Sequence, residues 1–110
     1  MILTTHVLDT AAGTPAGGVE IILYAIDGAT RTVLGSAITN ADGRTDAPLA
    51  ENLIAGHYEL TFMVATYFEA RSVGAFYDEI AIRFRIDQSS RSYHVPLLFS
   101  PWGYSTYRGT

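Results

Sequence analysis

With 110 residues, 48% of them hydrophobic and 16% charged, the chain can bury one core, and that balance excludes a disordered polymer. A net charge of −4 argues against a nucleic-acid partner, because neutralising phosphates takes a basic face. The absence of cysteine rules out disulfide scaffolds and thiolate metal sites, and no apolar run approaches the length that spans a bilayer.

Strand-like sequence begins within one residue of Met1, with no charged-then-apolar leader, so the chain is expected to stay cytoplasmic. "ILTTHVLD" (Ile2 to Asp9) reads as a first strand, with Leu3, Thr5 and Val7 on one face and Thr4, His6 and Leu8 on the other. "TAAGTPAGG" is a Gly-rich loop that crosses between sheets. "VEIILYAID" (Val19 to Asp27) is an almost unbroken apolar run, as for a strand covered on both sides. Asp27-Gly28 turns the chain into "RTVLGSAIT" (Arg31 to Thr39). Asn40-Ala41-Asp42-Gly43 is a strong turn signal, since Asn, Asp and Gly tolerate positive φ. Arg44 then opens a short segment that Pro48 stops.

"HYELTFMVAT" (His57 to Thr66) alternates, placing Tyr58, Leu60, Phe62 and Val64 inward and Glu59 and Thr61 outward. "YFEARSV" (Tyr67 to Val73) lacks that alternation and suits a turn or two of helix. "EIAIRFRID" (Glu79 to Asp87) sets Ile80, Ile82, Phe84 and Ile86 against a solvated face carrying Arg83 and Arg85. The last stretch, "SYHVPLLFSPWGYSTYRGT" (Ser92 to Thr110), reads as two strands around an "SPWG" turn. His94, Pro96 and Leu98 share a face of the first, Ser105 and Tyr107 a face of the second. Seven or eight short strands separated by frequent turn signals predict one all-β domain, residues 1–110, folded as a two-sheet antiparallel sandwich with one short helical turn.

Chemistry has few carriers in such a chain. His57 stands at an exposed strand start and is given no role. His6 and His94 each interrupt an otherwise apolar strand, and a second apolar face implies a cover such as another subunit. If the first and last strands were neighbours, His6, His94, Ser105 and Tyr107 would form one patch; parity alone leaves that adjacency open. A zinc site lacks its third ligand, and the glycines at 13, 17 and 18 spell no phosphate loop because no helix pattern follows them. There is no G-x-S-x-G elbow. Asp42, Asp46 and Glu51 cluster near Arg44, but at turn positions where acidic residues are common.

The segments "LTTHVLDTAAGTPA", "DGR", "YFEA…AFYDEIAIRF" and, above all, "YHVPLLFSPWGYSTYRGT" resemble the 5-hydroxyisourate hydrolases of the transthyretin-like family, over essentially the whole chain. The resemblance implies a prealbumin-like sandwich of two four-stranded sheets, assembled as a homotetramer with active sites at a subunit interface. It also implies that the first strand, the short strand after the D-G turn and the last two strands share one sheet. The family's motif positions fall on His6, Arg44, His94 and the segment Tyr107 to Thr110. Ser92 replaces a His common in the family, Thr110 replaces the closing Ser, and Asp78 replaces a Pro.

By that resemblance the substrate is 5-hydroxyisourate, opened at a ring C–N bond in urate degradation, with no metal or organic cofactor. His6 and His94 would activate water and return a proton, and Arg44 would hold the developing oxyanion. Thr110 would complete the catalytic set. Ser105, Tyr107, Arg108 and Gly109 would bind substrate with His6 and Arg44. The alternative is a non-catalytic carrier of thyroid-hormone-type ligands, as in the family's vertebrate branch, which lacks the His6, Arg44, His94 and tail features. A generic β-sandwich interaction module is the third reading.

Overall fold

The computed structural model describes residues 1–110. Along the chain, β1 (Ile2–Thr4), β2 (Val7–Asp9) and β3 (Thr14–Pro15) precede the long β4 (Glu20–Asp27) and β5 (Thr30–Ile38). Then come β6 (Ala50–Glu51), β7 (Gly56–Phe62), α1 (Val64–Glu69) and β8 (Ile80–Ile86). The chain closes with β9 (Ser92–His94), β10 (Leu97–Phe99) and β11 (Tyr104–Thr106). The strands exceed the expected number because the first strand and the one before the last turn are each interrupted and the Gly-rich loop adds the two-residue β3.

One sheet runs β5-β4-β7-β8, antiparallel throughout. The other is made of two pieces, β6-β1-β9 and β3-β2-β10-β11. These pieces act as one sheet because their register never slips: Thr4 faces His94 and Val7 faces Leu97, ninety residues apart in both cases. Backbone bonds cross the gap, from Val95 N to the Thr4 carbonyl and from Leu97 N to the His6 carbonyl, each at 3.0 Å. Thr5 Oγ1 adds a donation to the Val95 carbonyl at 2.7 Å. Pro96 has no N–H to give the next strand, which breaks the ladder on that side. Its carbonyl instead accepts from Thr106 Oγ1 at 2.8 Å.

Between the sheets lies a core of 19 hydrophobic residues, to which β4, β7 and β8 contribute alternate side chains while β5 contributes none. Two expectations about the middle of the chain need correction. The strand beginning at His57 ends at Phe62, and the helix starts at Val64 rather than Tyr67. Apolar residues at 64, 67 and 68 fit one helical face, and these three are the residues α1 buries. The rings of Tyr67 and Phe68 both stand 5.3 Å from that of Phe99. Tyr67 also donates to Asp9 Oδ2 at 2.8 Å, tying the helix to β2. The short strand expected after Arg44 forms beyond Pro48, at Ala50–Glu51, and the Gly-rich loop contains the two-residue β3.

Glu59 and Thr61 do point away from the core, yet Glu59 is only 2% exposed. Arg83, from the adjacent β8, and Arg31, reaching across β4 from β5, lie over it at 3.0 and 2.9 Å, and Thr61 Oγ1 donates to it at 2.7 Å. Burial pushes the Glu59 carboxyl up, but the hydrogen bonds from Thr61, Arg83 and Arg31 outweigh it and hold the group below its ordinary value. A depressed carboxylate contributes stability that is present above the unfolded-state value and is lost as pH falls through the folded one. Glu59→Gln should therefore lower unfolding stability at neutral pH by about 1–2 kcal/mol and flatten its decline in acid. Urea titrations at neutral and acid pH, compared with wild type, check both.

Candidate active site

The interruption in the second sheet is where the polar side chains of interest gather. His6 lies between β1 and β2, half-buried on the outward face, and His94 ends β9 on the same face. The parallel pairing of β1 with β9 makes these strands neighbours, which parity left open. Thr4, which shares the face of His6, stands opposite His94, and its Oγ1 lies 2.9 Å from His94 Nδ1.

The turn at 40–44 closes on the other side of His6. Asn40 Oδ1 accepts from the amides of Asp42 and Arg44, Gly43 N donates to the Asn40 carbonyl, and Asn40 N donates to the Arg44 carbonyl. Gly43 has φ +72°, and a Cβ there would strike the Val7 carbonyl oxygen, so only glycine lets this turn meet the strand. In return Val7 N donates to the Gly43 carbonyl at 2.8 Å. Next to it, the Asp42 carbonyl sits 3.0 Å from His6 Nε2. A carbonyl only accepts, so His6 carries its proton on Nε2 and, when neutral, a lone pair on Nδ1.

The tail returns along the far side of His94. Leu97 faces Thr106 and His94 faces Gly109, so three steps along one strand match three steps back along the other, and no residue slips across Pro96. Gly109 N donates to the His94 carbonyl at 2.8 Å. A Cβ on Gly109 would collide with His94 Cδ2 and lie 3.0 Å from Cγ, so the imidazole occupies the space a side chain would need.

Two hollows open near the site, one lined by His94 and the other by Arg44. One of about 320 Å³ is lined by Phe84, Tyr93, His94, Tyr107 and Arg108 among others, and one of about 230 Å³ by Thr4, Arg44 and Asp46. Arg44 and Tyr107 are exposed, and the Arg108 guanidinium stacks 4.8 Å from the Tyr93 ring centre. Ser105 faces Leu98 and lines neither hollow, and Thr110 follows Gly109 as an exposed residue. No third His, Cys, Asp or Glu joins the two imidazoles as a cluster able to hold a metal.

Burial, then the positive charge of Arg44 and of His6, hold the His94 imidazole below its ordinary value. Thr4 and the Asp42 carbonyl were not singled out from the residues. Thr4 was within reach through its parity with His6; a carbonyl in a turn leaves no mark in sequence.

Residues 3–109 match the model of the HIUase/Transthyretin family. The chain belongs to that family. It is 54% identical to the 5-hydroxyisourate hydrolase of Deinococcus radiodurans, over 98% of this chain and 95% of that one. The structure of Klebsiella pneumoniae 5-hydroxyisourate hydrolase superposes with a TM-score of 0.87 at 36% identity, covering all of both chains. Sea bream transthyretin in complex with thyroxine gives a TM-score of 0.92 at 25% identity, covering 100% of this chain and 96% of the other. Shape therefore does not separate the two branches of the HIUase/Transthyretin family; sequence does.

Two outcomes are expected of the site. In an NMR titration the His94 ring should change charge below about 6.5, the ordinary imidazole value, and move upward in Arg44→Gln, because a guanidinium that opposes protonation is gone. Gly109→Ala should leave the melting temperature within a few degrees of wild type, since the tail is exposed, while shifting the His94 ring resonances. An unmoved His94 spectrum would mean the ring is not seated on Gly109.

Proposed function

We propose that this single-domain protein hydrolyses 5-hydroxyisourate, opening a ring C–N bond in urate degradation. The observation that carries the reading is that His6 and His94 share one outward sheet face, with Arg44 in the adjoining turn close enough to act on the His94 ring, beside a tail that shares the edge of His94. Relatives named for this activity, at 54% identity over nearly the full length, point the same way. Water is a poor nucleophile at neutral pH, and an imidazole is the side chain suited to take its proton. Arg44 supplies forked, permanently charged donors for the carbonyl oxygen that gains negative charge as water adds. Tyr107, Arg108, Gly109 and the Thr110 hydroxyl shape the substrate's seat.

The hollows beside His94 and beside Arg44 are open on the isolated chain. We take the working form to be a cytoplasmic homotetramer in which a second copy covers this face and completes the site. The carrier reading draws support from the close superposition on a thyroxine-bound transthyretin, but the two imidazoles and the arginine suit proton transfer better than they suit an apolar hormone ring.

The test is spectrophotometric. 5-Hydroxyisourate generated with urate oxidase should decay faster with the protein than without it, and His94→Ala should cut that acceleration at least about a hundredfold. Decay at the spontaneous rate in the presence of wild-type protein would overturn the reading. Deleting Tyr107 to Thr110 should abolish turnover while sedimentation still reports the same assembly; full activity in the shortened chain would remove the tail from the mechanism.

A further inference from the structure

His94 is held at both edges of its ring. On one edge Nδ1 meets Thr4 Oγ1 at 2.9 Å, and on the other Cδ2 packs on Gly109, which has no side chain to push it away. Nε2 makes no hydrogen bond within the chain, yet no half-buried side-chain nitrogen or oxygen is shut away without a partner, so Nε2 opens to solvent. The same reasoning applies to His6. Its Nε2 is taken by the Asp42 carbonyl, and its Nδ1, free of partners, opens outward. Each imidazole thus offers the site one nitrogen, and the group behind it decides whether that nitrogen carries a proton.

For His6 the partner is a carbonyl and the answer is a lone pair on Nδ1. For His94 the partner is a hydroxyl, which can give or take. His94 Nδ1 is the one hydrogen-bond partner Thr4 Oγ1 has in the chain. Donation from Thr4 uses the hydroxyl proton and satisfies Nδ1 together; the reverse leaves that proton without a partner in the protein. We propose that Thr4 is a positioning residue: its hydroxyl donates to His94 Nδ1 and fixes the tautomer that presents Nε2–H to the substrate. His6 Nδ1 is then the nitrogen that moves the proton.

The division of labour follows, and it rests on the hydrolase reading. Water loses a proton to His6 Nδ1 as its oxygen bonds to the carbonyl carbon, and the carbonyl electron pair moves onto oxygen. His94 Nε2–H and Arg44 steady that oxyanion. When the intermediate collapses, the C–N bond breaks and His6 returns the same proton to the departing nitrogen. His94 stays neutral throughout. Its surroundings favour this: half-burial disfavours the charged ring, and Arg44 and His6 stand close enough to oppose its charge. A neutral imidazole is a hydrogen-bond donor that needs no proton supply.

Nitrogen-15 spectra of the substrate-free protein decide the tautomer, because protonated and unprotonated ring nitrogens resonate far apart. At neutral pH, wild type should show His94 with Nε2 protonated and Nδ1 bare. Thr4→Val, which keeps the side chain's shape, should blur His94 into a tautomer mixture and cut kcat about tenfold with little change in KM; Thr4→Ser should restore both. A bare His94 Nε2 in wild type, or wild-type kcat in Thr4→Val, would overturn the proposal. The spectrum needs no substrate, so it stands apart from any failure of the hydrolase reading itself.

Discussion

The structure depends on one pairing: the first strand of the chain lies parallel to the strand that precedes the last turn, in a register that never slips. Both are interior strands of their sheet, so neither can be supplied locally, and all the site geometry is inherited from them. Thr4 opposite His94 is a register position before it is a hydrogen bond. The Pro96 interruption leaves that register intact while freeing the strand edge beside it, where Thr106 and the tail attach. A sheet that was regular here would use its polar groups in the ladder and leave few to face a ligand.

The two faces of the sandwich solve different problems. On the β4–β8 sheet an outward carboxylate is covered by two arginines and a threonine, and every oxygen it owns has a donor. That cluster is satisfied and does nothing further. On the opposite sheet each imidazole has one nitrogen engaged and one left open, and Arg44 stands near enough to His94 to oppose the charging of that ring. Complete satisfaction suits stability and partial satisfaction suits a site that meets a ligand, and the two arrangements stand on opposite sheets of the same fold.

Much of this could be read from residues alone, for definable reasons. Period-two alternation placed His6 and His94 on an outward face and put Ile80, Ile82 and Ile86 in the core, because a strand's sidedness is a local property. The Asn40 to Gly43 turn was legible because it needs a residue that accepts positive φ. What was not legible was non-local. Glu59 looked solvated because its cover comes from Arg31 and Arg83 on other strands. Val64 looked like strand because the preceding alternation runs into it, although its spacing to Tyr67 and Phe68 is helical. The neighbourhood of His6 and His94 followed from family resemblance and from no pattern of residues, since parity says which face a side chain takes and nothing about which strand lies alongside.

The distance in sequence between the two central strands has a consequence for biosynthesis. A ribosome delivers Thr4 long before His94 exists, so the nascent chain must carry an unpaired strand through most of its own translation. Contacts separated by so much chain close slowly, and an open strand edge invites strangers in the meantime. The β4–β5–β7–β8 meander, whose partners are near in sequence, is suited to form first and to shelter that strand until its mate emerges. The two imidazoles therefore come together only after residue 94 has been made, and a product terminated before it holds the first strand without its partner.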